Sequence, residues 1–193
     1  MSISLTKGQQ ISLTKSGGGA LTRVRMGLGW DAVAKKGMFG SRKSQDIDLD
    51  ASCLMFDAGR NLLDAVWFNQ LQSRDGAVQH TGDNLTGAGD GDDESIIVDL
   101  ARLAPQVHSL VFTVNSFTGQ NFSQIQNAFC RLIDETTDTE LARYDLSGSG
   151  PHNAQIMAKV YRDGSGGWAM GAIGQIAVGR VVSDLVGPSI GHL

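Results

Sequence analysis

With 193 residues and 41% hydrophobic content, the chain can bury one sizeable core, and residues 1–193 are read as a single domain. No apolar run approaches the roughly 20 residues of a membrane-spanning helix, and Met1–Lys7 lacks the pattern of an export signal, so a soluble, cytoplasmic protein without a transmembrane segment is expected. The net charge of −4 conceals an asymmetry: seven of the 20 acids fall between Asp75 and Ala101, a stretch without Lys or Arg, and the other 13 face 16 basic residues.

In chain order, Ile3–Lys7 and Ile11–Lys15 repeat the same five residues around Gly8 and read as two brief strands. In Thr22–Trp30 the apolar Val24, Met26, Leu28 and Trp30 share one face of a strand that Asp31 closes. Ala32–Gln45 has no periodicity and reads as an exposed loop. Asp46–Phe56 alternates in its first half, with Asp46, Asp48 and Asp50 opposite Ile47, Leu49 and Ala51. Turns at Asp57–Arg60 and Ser73–Gly76 bracket Asn61–Asn69, and Ala77–His80 leads into the acidic stretch.

Beyond it, Ser95–Leu100, Ser109–Ser116, Ala128–Ile133, Glu140–Leu146, Gln155–Arg162 and Trp168–Val178 read as short strands. Helical signals are confined to Ala101–Val107, interrupted by Pro105, and one turn near Phe122–Gln126, while Ile176–Leu185 suits either a strand or a short helix. High glycine, little proline and many short strands predict an all-β, antiparallel two-sheet sandwich with few short helices. Cys53 and Cys130 lie in apolar runs without metal-ligand spacing and read as reduced, buried residues. Trp30, Trp67 and Trp168 read as core.

The feature with chemistry in it is Gly82–Glu94, where Asp83, Asn84, Asp90, Asp92, Asp93 and Glu94 are interleaved with glycines. Hard carboxylate and amide oxygens, with backbone carbonyls that glycines let turn inward, make the shell of about 6–8 oxygens that calcium takes. The rival reading is a solvated turn. The interleaved glycines, and carboxylates at strand ends able to converge on the loop, favour a cation. The segment offers no thiolate and only His80 at its edge, which disfavours softer metals, and magnesium would leave most of these carboxylates unused. Asp46-x-Asp48-x-Asp50 is no EF-hand, because Ala51 replaces the glycine of the sharp turn.

There is no GxSxG elbow, phosphate-binding GxxxxGK[ST] or HExxH, and His80, His108, His152 and His192 lie apart and read as surface or capping residues. The acidic loop would repel nucleic acid. Two isolated cysteines supply no redox couple. These observations favour a non-enzymatic binding or scaffold module; the alternative is a metal-dependent hydrolase or phosphotransferase whose loop-held cation polarises a phosphoryl group.

Gly27-Leu-Gly-Trp-Asp31, Asp46–Ser52, Gly82–Glu94 and Ala142-Arg-Tyr-Asp-Leu146 resemble the motifs of the TerD-type tellurium-resistance and stress-response family, over essentially the whole chain. The resemblance implies a calcium-binding β-sandwich with two neighbouring calcium ions, linked to resistance to tellurite and other chemical stress, with no established catalytic activity. It also implies protein partners, including other stress-response proteins at the membrane surface. By position it implies as ligands Asp83, Asn84, Asp92, Asp93 and Glu94, the backbone carbonyls of Gly87 and Gly89, Asp31 and Asp75, with Asp90 as a ligand or a support to one. Lys35–Lys43 departs from the shorter loop expected of the family.

Overall fold

The computed structural model describes residues 3–4, 6–13, 21–32, 34–36, 42–44, 48–82, 91–145 and 150–193. Two six-stranded sheets carry the fold. In chain order the strands are β1 (Ile3–Ser4), β2 (Gln10–Ser12), β3 (Arg23–Ala32), β4 (Ala34–Lys36), β5 (Arg42–Ser44), β6 (Leu49–Phe56) and β7 (Leu62–Val66). They continue as β8 (Val78–His80), β9 (Glu94–Asp99), β10 (Ser109–Ser116), β11 (Ile125–Asp134), β12 (Thr139–Asp145), β13 (Ala154–Arg162) and β14 (Trp168–Ala177).

The first sheet runs β1-β12-β11-β3-β9-β8 and the second β2-β14-β13-β10-β6-β7. All pairings are antiparallel except β1 on β12, so the expected sandwich is observed.

The alternation of β3 is the clearest case of sequence becoming structure. Val24, Met26, Leu28 and Trp30 all enter the core between the sheets. Arg23, Arg25, Gly27 and Gly29 consequently lie on the outward face. In the second sheet the alternation fails for a physical reason: β6 and β10 are buried on both faces. Leu49, Ala51, Cys53 and Met55 face the first sheet, whereas Leu54, Phe56 and Val111 pack on the opposite side against Val182 and Leu185. That cover is a 3₁₀ turn at Val182–Leu185 followed by α1 (Val186–Ile190). Asn115 ties it down, its Nδ2 donating to Asp50 Oδ2 (3.0 Å) and to the Arg180 carbonyl (2.9 Å).

Three segments differ from the sequence reading. Ala32–Gln45 contains the β4–β5 pair, two strands too short and too polar to stand out. Ala101–Val107 forms turns, with Asp99 Oδ1 accepting from the N–H groups of Ala101 and Arg102 (both 3.2 Å) rather than a helix following. Ile176–Leu185 is divided between the end of β14 and the 3₁₀ turn.

Trp30 and Trp168 are core residues, and Trp67 is half-buried against the second cluster. Both cysteines are free and buried. Burial pushes both thiols up, that of Cys130 to about 12, so neither is a thiolate at neutral pH. Among the described residues no helix is long and apolar enough to cross a membrane.

Candidate metal centre

The acidic loop joins β8 to β9, and its descending arm is described from Gly91 onward. Its three consecutive acids reach three different places. Asp92 lies on the outer face of the first sheet with its side chain 4% exposed, held by Arg25 Nη1 on Oδ2 (3.0 Å) and Arg131 Nε on Oδ1 (2.6 Å). Asp93 turns back over the end of β3, where Oδ2 accepts the Trp30 N–H (2.9 Å) and its own N–H donates to the Leu28 carbonyl (2.8 Å). Glu94 points between the sheets. Its Oε2 accepts the Ala51 N–H of β6 (2.7 Å) and lies 3.3 Å from His80 Nε2, with neither side chain of the pair exposed. One carboxylate therefore links β9 of one sheet to β6 of the other.

The glycines of β3 explain how the loop approaches so closely. A Cβ on Gly27 would collide with the Asp92 carboxylate, and one on Gly29 would lie 2.6 Å from the Gly91 carbonyl oxygen and 2.5 Å from the Phe129 ring. Those two positions are a floor for the loop, and only a residue without a side chain leaves room for it. Arg25 is shared further with Glu135 (2.7 Å) and Asp138 (2.6 Å), and Arg131 with Glu140 (3.3 Å), which fixes both guanidiniums from two sides.

Of the two roles expected for His80, surface or capping, the surface one fails: the residue is buried at 2% exposure. Its Nδ1 accepts the Gly82 N–H (3.1 Å), so the ring proton of the neutral form sits on Nε2, facing Glu94.

Asp75 does not belong to this cluster. Its Oδ1 accepts from the Ser73 hydroxyl (2.6 Å) and the Ala77 N–H (3.0 Å), and its Oδ2 from the Ala104 N–H (3.1 Å). Val78 pairs with Val98, so Asp75 sits beyond the far end of the ladder from Glu94, about 13 Å or more along the strands at ~3.3 Å per residue. Burial pushes its pKa up, and the bonds from Ser73, Ala77 and Ala104 outweigh that and leave it below the usual carboxylate value. It organises its own turn.

Asp83, Asn84, Gly87, Gly89 and Asp90 lie outside the described residues, as does the side chain of Asp31, whose backbone pairs with Gln126 at the end of β3. Among the described residues no group of three or more His, Cys, Asp or Glu side chains is gathered in a way that could hold a metal. The hard-oxygen character of the loop fits calcium. Asp92 already carries a guanidinium on each carboxylate oxygen, which makes it a fastening point of the loop. Sequence reasoning missed the arginine clamp. Arg25 and Arg131 are distant in sequence and meet only when β3 pairs with β11; the one signal was the Arg-x-Arg-x-Gly-x-Gly spacing on the outward face of β3.

Known proteins share this arrangement of sequence. The chain is 46% identical over 185 residues to the tellurium resistance protein TerZ of Serratia marcescens, covering 95% of this chain and 94% of that one. It is 42% identical over 197 residues to the stress response protein SCP2 of Bacillus subtilis (strain 168), covering 96% and 98%. A solved structure of a telluride resistance protein (TerD) homologue from Streptomyces coelicolor A3(2) superposes with a TM-score of 0.72 over 86% of this chain and 96% of that one; at 20% identity it speaks for the fold alone. With the TerD domain model matching residues 1–186, the length that carries both sheets and the base of the acidic loop, the chain belongs to the TerD domain family.

Proposed function

We propose that the protein is a non-catalytic, calcium-binding stress-response module of the cytoplasm, linked to tellurite and chemical-stress resistance, whose ion-loaded loop forms a surface for protein partners. The observation that supports this most is the rigid footing of the loop. Asp92 is fastened to β3 and β11, Asp93 to the end of β3 and Glu94 to β6, which fixes the base of the loop that carries Asp83–Asp90.

In this reading Asp31, Asp83, Asn84, Asp90, Asp93 and the carbonyls of Gly87 and Gly89 hold two calcium ions. Asp92 and Glu94 position the loop, and Asp75 takes no part. Bound calcium supplies positive charge that offsets the crowded carboxylates. Asp92 orients the arm by gripping β3 and β11, and Asp93 keeps one carboxylate beside the end of β3.

A ligand that binds only the folded state raises its melting temperature. Chelator-treated protein should therefore melt several degrees higher when calcium is added in excess, and Asp83→Asn with Asp90→Asn should lose that rise. An unchanged melting temperature in the wild type would remove calcium from the account. The names of the relatives concern resistance and stress and specify no reaction. A panel of phosphate esters tested with calcium or magnesium should show no turnover above background; turnover lost in the same double variant would make the protein a hydrolase or phosphotransferase instead.

A further inference from the structure

On the second sheet, away from the acidic loop, a cavity of about 220 Å³ lies where β2, β13 and β14 meet α1's trailing residues. Lys7, Gln10, Lys159 and His192 line it above a floor made by Gly171, and no carboxylate lines it among the described residues. Gly171 is part of the shape: a Cβ there would stand 3.5 Å from the Gln10 side chain and 3.8 Å from that of Lys159.

The donors are oriented by their other bonds. Tyr161 OH donates to Gln10 Oε1 (2.7 Å), which leaves the Gln10 amide nitrogen as the group to present. Lys159 Nζ donates to the His192 carbonyl (2.6 Å) and stands 4.9 Å from the Tyr161 ring centroid, so its half-buried ammonium is held at the cavity with donors to spare. Lys7 Nζ is tethered to Gln175 Oε1 (3.4 Å).

The local field is positive. Burial and then the charges of Lys7 and Lys159 pull the His192 pKa down, and burial and then Arg60 do the same to Lys159. For both groups burial is the larger cause and the neighbouring cations add to it, so an anion placed in the cavity would be drawn to it.

We propose that this cavity binds a phosphate dianion, free or as the end group of a small metabolite. Its volume is below the several hundred Å³ of pockets that enclose whole drug-sized ligands, which suits an oxyanion or the terminal group of something larger. Two ammonium groups and an amide nitrogen supply short charge-assisted bonds to phosphate oxygens, and bound phosphate relieves the mutual repulsion of Lys7, Lys159, Arg60 and His192.

The test follows the His192 imidazole by NMR during pH titration, with inorganic phosphate, glycerol phosphate or acetate added at matched ionic strength. Phosphate should move the His192 midpoint upward in a saturable way, and acetate should not. Lys159→Ala should weaken binding about tenfold, as expected for a lost charge-assisted contact. Because Lys159 also holds the His192 carbonyl, Lys7→Gln on the exposed rim is the companion variant; it should fold normally and bind several-fold more weakly. Tighter binding of glycerol phosphate marks a metabolite end group, and tighter binding of inorganic phosphate marks the free ion. A His192 midpoint that phosphate leaves unmoved, that acetate moves equally, or that responds identically in Lys7→Gln overturns the proposal.

Discussion

The two ends of the β8–β9 ladder both place aspartates in turns, and they hold them in opposite ways. At one end Asp75 accepts from Ser73, Ala77 and Ala104, groups of its own turn and the next one. At the other end Asp92, Asp93 and Glu94 find their partners on β3, β11 and β6. A carboxylate satisfied by nearby N–H groups stabilises a local bend. Carboxylates held by distant strands bind the sandwich together around the loop they carry, and in the proposed function the other acids of that loop are the ones that take calcium.

The largest effect is expected at Glu94. Glu94→Ala removes the charged acceptor of a buried Ala51 N–H, the one that links the two sheets here, and leaves a void beside buried His80; it should cost about 3 kcal/mol in urea unfolding. A cost under ~1 kcal/mol would show that the sheets do not depend on this link. Asp92→Ala comes next at about 2 kcal/mol, less than a fully buried pair because solvent reaches both arginines, whose side chains are 21% and 26% exposed.

Gly27→Ala sharpens the same point from the other side. Its methyl group collides with the Asp92 carboxylate, so a loss of about 1–2 kcal/mol should come with weakened calcium binding, although no acid has been altered.

Asp75→Ala is the smallest, at about 1 kcal/mol for bonds at a partly exposed turn, and should leave calcium binding unchanged. Its pH dependence has a definite sign. The folded-state pKa is depressed, so the stabilisation is complete above the ordinary carboxylate value and is lost as pH falls through the lower, folded value. Wild type and Asp75→Ala should therefore converge in stability on acidification.

Much of this was legible in the sequence for reasons that differ by element. The β3 face could be read because one side meets the core and the other meets solvent, which writes a period of two into the residues. The β6 and β10 strands hid their faces because the C-terminal segment buries the second one. The acidic loop announced itself by composition. Its footing did not: the Arg25–Asp92–Arg131 clamp and the His80–Glu94 contact are made between neighbouring strands of the first sheet that lie far apart in sequence, and nothing local specifies them. The setting of Asp75 is equally hidden: only a few residues from the loop in sequence, it organises a turn beyond the opposite end of the β8–β9 ladder.

In the proposed function Asp92 and Glu94 only anchor the loop, Asp83 and Asp90 bind the ions, and Asp75 does neither. Titration calorimetry on chelator-treated protein tests this division directly, comparing wild type with Asp75→Asn and with Asp83→Asn combined with Asp90→Asn. Saturable calcium binding is predicted in the wild type, equal binding in Asp75→Asn, and none in the double variant. Equal heats in the wild type and the double variant, or loss of binding in Asp75→Asn alone, would contradict it.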